Sequence, residues 1–98
     1  MITAMQQPWS ASIGQLAELD RLQDFAGLGQ ALQQLPADPP ADHRSAIAHW
    51  RGKTALLEGR LEDALLQLAL AAKLDPQRAA NHYVLGAALV RQQHWLDA

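Results

Sequence analysis

The sequence predicts an all-α chain made of antiparallel helical hairpins, and three observations carry that prediction. Leu and Ala dominate the 98 residues while β-branched side chains are few, so local preference favours helix from end to end. Apolar residues return at spacings of three and four rather than alternating, which places them on one face of a helix. The clearest of these stretches are interrupted at Gly59 and at Asp75-Pro76, residue types that end helices, leaving pieces of hairpin length between them.

Taken in chain order, residues 12–22 and 25–35 read as a first pair of helices, with Asp24 as the cap between them. Gly27 and Gly29 each cost about 1 kcal/mol in a helix interior. Either the second helix begins beyond them or a neighbour requires a close approach. Pro36, Pro39 and Pro40 close this pair, and residues 36–42 form the one linker-like stretch, too short to separate domains. Residues 45–58 follow as a helix with Ala48, Ala55 and Leu56 on its apolar stripe and Gly52 where a bare backbone admits a neighbour. Gly59 suits the left-handed residue that terminates it. The next helix carries Leu61, Ala64, Leu65, Leu68, Ala71, Ala72 and Leu74 and stops at Asp75-Pro76. Asp75 and Pro76 also suit the cap and first turn of a following helix over residues 78–91. His94 and Trp95 then begin a further helix too short to stand in water, so the chain is expected to continue beyond Ala98.

Composition excludes several classes of function. Hydrophobic residues make up 49% and charged residues 18%, enough apolar side chain to bury a face and too little charge for a disordered tail. A net charge of −2 gives no long-range attraction for phosphate backbones or anionic lipid, so neither nucleic acid nor membrane is an expected partner. No cysteine is present to form a disulfide or attack a substrate. The amino end has neither the basic nor the apolar region of a secretory leader, and no stretch approaches a membrane span, which points to a cytoplasmic address.

Internal repetition organises the rest. A shift of 34 residues superposes Gly52 on Gly86 and Ala64 on Ala98. Leu85-Gly86 matches the L-G pair of a W-x₂-L-G-x₂-Y pattern, and Gly52 matches its glycine with Arg51 in place of the leucine. Ala64 matches the alanine of A-x₃-F, Leu68 stands where the aromatic falls, Ala71 matches a later small residue, and Pro76 matches the closing proline. On these residues the chain resembles the tetratricopeptide repeat (TPR) family. It departs from the pattern at the tryptophan place (Ala48, His82), at the tyrosine place (Ala55, Leu89) and at Gln93, where a turn glycine is usual. The resemblance divides the chain into a degenerate first repeat over 10–42, a full repeat over 45–78 and an incomplete, truncated repeat over 79–98. It implies a short right-handed solenoid of stacked hairpins, because one hairpin cannot bury both of its apolar faces.

The resemblance also implies where a partner binds. The inner wall of such a stack is lined by the first helix of each pair, which here places His49, Trp50, Lys53 and Leu57 from one repeat beside Tyr83, Ala87, Val90 and Arg91 from the next. Aromatic and cationic residues on one concave wall suit a peptide with an apolar anchor and a carboxylate. For Trp50 and Tyr83 a second reading stands open, packing against a neighbouring helix. Of the cations with which some family members clamp a terminal carboxylate, only Lys53 and Arg91 are available, so a dedicated clamp is not expected.

No chemistry-bearing constellation competes with this. His43, His49, His82 and His94 are separated by 6, 33 and 12 residues, none of which puts two ligands on one helical turn, so no metal or cofactor is expected. Glu62 and Asp63 suit the first turn of a helix, where acidic residues favour its dipole. The expected function is therefore a non-catalytic protein-protein interaction module or scaffold for a peptide or partner helix. The alternative is an amino-terminal docking or regulatory segment of a larger bacterial enzyme such as a transferase. Self-association through the exposed solenoid end is a third possibility, because a cut stack leaves an apolar face uncovered.

Overall fold

A computed structural model describes residues 2–36 and 38–97. The described residues form five helices and no strand: α1 (Ile2–Arg21), α2 (Phe25–Gln33), α3 (Ala41–Leu57), α4 (Leu61–Leu74) and α5 (Ala79–Asp97). Each helix packs on its neighbours in sequence, α1 on α2, α2 on α3, α3 on α4 and α4 on α5. Beyond these, α1 touches α3 and α3 touches α5. The principal extents are 56 × 27 × 22 Å.

Two hairpin turns have the same backbone chemistry. After α3, Gly59 adopts φ +80°, its N–H bonds to Leu56 O, and the Arg60 N–H reaches back to Ala55 O at 2.8 Å. That pair of bonds satisfies two carbonyls the helix end leaves free, the Schellman arrangement. After α1, Gln23 adopts φ 60°, its N–H bonds to Asp20 O, and the Asp24 N–H reaches Leu19 O at 2.9 Å. Asp24 then turns from donor to acceptor and caps α2: its carboxylate accepts from the Gly27 N–H at 3.0 Å. A Cβ on Gly27 would lie 2.6 Å from that carboxylate, so the glycine makes room for the cap rather than for another helix. Both Gly27 and Gly29 lie inside α2, which begins ahead of them.

Two apolar clusters meet on α3. Leu16 of α1, Leu28 and Leu32 of α2, and Ile47 and Trp50 of α3 form the first, with Trp9, Ile13 and Phe25 against it. Ala55 and Leu56 of α3, Ala64 and Leu68 of α4, and Ala88 of α5 form the second. In the second cluster α3 and α4 approach closely enough that a Cβ on Gly52 would meet Leu68 Cγ at 2.5 Å and the Leu68 backbone nitrogen at 3.1 Å. Gly86 on α5, 34 residues further along the chain, faces open space.

Several boundaries differ from the sequence expectation. α1 begins ten residues ahead of Ser12. Trp9 and Ile13 supply the packing that extends it. α3 starts at Ala41, directly after Pro40, whose fixed φ suits a helix entry. α5 starts at Ala79, so Asp75 closes α4 and does not cap α5. The expected break near Gln93 is absent: α5 continues to Asp97, because Gln92 and Gln93 are ordinary helix formers followed by neither glycine nor a capping residue. The repeat alanine Ala98 lies outside the described residues.

Candidate interaction surface

Of the eight residues expected on an inner wall, the structure divides the buried from the accessible. Trp50 is 4% exposed and belongs to the first core, where its indole N–H points at Asp20 Oδ2, 3.4 Å away. His49 is likewise 4% exposed. Both are corrections: a partner cannot reach either side chain, because α1 and the start of α5 cover this part of α3. Lys53 is partly buried and committed, donating to Asp20 Oδ1 at 2.6 Å with its ammonium 5.4 Å from the Phe25 ring centre. Asp20 thus ties α1 to α3 through two side chains, and Lys53 is not a free cation.

The remaining residues are accessible. Leu57 is half-exposed, while Tyr83 and Val90 are 79% and 69% exposed. Tyr83, Ala87 and Val90 stand four and three residues apart on α5, which puts them on one face one and two turns apart. Arg91 is exposed at the end of that face and donates to Leu56 O across the α3–α5 contact at 3.2 Å.

Beneath this surface lies a buried polar knot that sequence reasoning did not find. Asn81, fully buried, donates to Ala71 O at 3.1 Å and faces Ser45 Oγ and Asp75 O at 3.2 Å, while Ser45 itself donates to Ala71 O. One side chain of α5 is thereby bonded to the end of α4 and the start of α3. His49 Nδ1 and Asn81 Oδ1 are buried beside this knot without a well-aligned partner. Burial holds the His49 pKa below its ordinary value, reinforced by the Arg78 and Lys53 charges and opposed by Asp20 and the Asn81 amide.

A second exposed apolar stripe also escaped the sequence reading. Leu66, Leu70 and Leu74 run along α4 at intervals of four, each at least 44% exposed. Leu74 therefore belongs to this outer stripe and not to the core face with Ala64, Leu68 and Ala71. The signal was present in the sequence, since α4 is apolar on two faces and only one is needed for the hairpin.

Among the described residues no three of His, Cys, Asp and Glu converge in a way that could hold a metal ion, and no helix is long and apolar enough to cross a membrane. Glu58 and Asp63 pair with Arg60 at 3.3 and 3.1 Å on the exposed α3–α4 turn. No family model, no curated protein and no solved structure matches the chain.

Proposed function

We propose that this chain is a non-catalytic protein-binding module, a short TPR-like stack of helical hairpins that presents the Tyr83–Ala87–Val90 face of α5 to a peptide or helix of another protein. The observation that carries the reading is that a large aromatic and a β-branched residue stand uncovered on one helix face, with Arg91 beside Val90 at its end. An apolar strip beside a cation suits an amphipathic segment bearing an acidic group. Aromatic anchors of this kind carry a large share of interface energy. The stacked architecture is supported by the neighbour-to-neighbour order of helix packing, by two turns of one geometry, and by the 34-residue return from Gly52 to Gly86.

The test replaces Tyr83 and Val90 together by Ser and compares capture of partners from lysate, identified by mass spectrometry, with that of the unaltered chain. Because both positions are exposed, helicity should be unchanged and the specifically captured protein should be lost. Full retention of that partner by the double variant refutes the reading. Trp50→Ala is the contrasting control: it removes a core side chain, with an expected loss of about 3–5 kcal/mol of stability.

A further inference from the structure

We infer a second docking site on the other flank of α3: a cleft between the Asp38–Pro39 segment and α4 that takes an acidic helical peptide of a partner protein carrying aliphatic side chains one turn apart. The cleft exists because the first hairpin is lopsided. α2 has 9 residues where α4 has 14, and beyond Gln33 the chain leaves the helix and reaches α3 through Pro36, Pro39 and Pro40. A helix fills about 10 Å of width, an extended chain about half of that. The difference is left open over the amino-terminal half of α3 as a cleft of about 330 Å³.

Its walls specify the occupant. Ile47 and Ala48 of α3 lie at its base, Pro39 forms one rim, and Leu70 and Leu74 of α4 form the other, both exposed and four residues apart. A partner helix with aliphatic residues at the same one-turn interval interdigitates with that ridge. Charge selects among such helices. Arg44 and Arg51 both line the cleft, and neither is ion-paired among the described residues; the Arg44 Nε donates to Pro39 O, leaving its terminal nitrogens free to turn outward. Asp38 is the one acidic group on the lining. Two guanidiniums against one carboxylate beside an apolar trough favour glutamates or aspartates flanking the aliphatic residues and disfavour lysines. The proposal is independent of the α5 face, since no residue is shared.

Fluorescence anisotropy with two labelled synthetic helical peptides tests it. Both carry leucines at intervals of four, one with glutamates on the remaining faces and the other with lysines. The glutamate peptide should bind roughly tenfold more tightly than the lysine peptide, and Arg51→Glu should remove most of that preference. Leu70→Ser with Leu74→Ser should abolish binding, with circular dichroism showing the helices intact, as these side chains are outside the core. Tyr83→Ser with Val90→Ser should leave binding unchanged. The inference is overturned if neither peptide binds, if the two bind alike, if Arg51→Glu has no effect, or if the α5 variant loses the peptide.

Discussion

Replacing Gly52 and Gly86 separately by Ala isolates one contact, because both glycines lie in helix interiors and what faces them differs. In either helix the change from Gly to Ala contributes about 1 kcal/mol through helix propensity. At Gly86 nothing opposes that gain, since no atom lies within 4 Å of the added methyl. At Gly52 the methyl would sit 2.5 Å from Leu68 Cγ, 2.6 Å from Cδ2 and 3.1 Å from the backbone nitrogen, and Leu68 is fully buried. The buried Leu68 side chain has no open space to turn into, so overpacking costs about 1–3 kcal/mol. Gly86→Ala should therefore stabilise by about 1 kcal/mol, while Gly52→Ala should be neutral or destabilise by up to about 2 kcal/mol. Propensity cancels in the comparison, and the gap between the variants is the overpacking alone. Urea denaturation measures it directly, and in thermal melts each kcal/mol corresponds to about 4–8 °C for a chain of this size. Equal stabilities within about 0.5 kcal/mol would refute the close α3–α4 approach. Adding Leu68→Ala to Gly52→Ala should shrink the methyl's penalty, a coupling that a propensity effect cannot produce.

Two further outcomes follow from single residues. Gln23 holds a left-handed backbone at φ 60° in a turn where its counterpart is Gly59, so Gln23→Gly should raise stability by about 1 kcal/mol, read from the urea midpoint; a loss of stability would contradict the turn geometry. His49 is held below its ordinary pKa by burial, with Arg78 and Lys53 adding to the effect. As pH falls through about 6.5 the unfolded ring takes up a proton that the folded ring resists. The stability it contributes is thus full above that pH and declines on acidification until the folded ring also protonates. Denaturation at several pH values should show this decline, and His49→Gln should flatten it; an unchanged slope in the variant would assign the decline to other groups.

Helix periodicity and turn chemistry were legible where they coincide. Gly59 and Asp24 mark their turns by residue type, and α4 begins and ends where its apolar stripe does. Gly52 was legible as a close approach because its neighbours form an apolar stripe. Within the Asp24 turn the left-handed backbone of Gln23 was not, since glutamine rarely takes positive φ. The continuation of α5 past Gln93 was hidden for the complementary reason: repeat spacing suggested a turn that the local residues do not encode. Burial was the hardest to read. His49 and Trp50 share a helix with Lys53 and Leu57, and which of them is covered depends on α1 and the start of α5, elements distant in sequence. The Ser45–Asn81 knot joins positions 36 residues apart through polar side chains, to which an analysis of apolar spacing is blind.

Because α3 contributes to both apolar clusters, it is, among the described residues, the one rod that joins α1 and α2 to α4 and α5. Loosening α1 or α2 leaves the Leu68 cluster with its own partners, and fraying of α5 leaves Leu16 and Leu28 enclosed. Amide protection should accordingly be greatest along α3 and grade outward in both directions, so that each terminus exchanges through its own local opening. A ligand seated on α5 therefore reaches the distant Leu16–Leu28 cluster through the straightness and register of α3, whereas the Leu70–Leu74 ridge stands on α4, which α5 contacts directly.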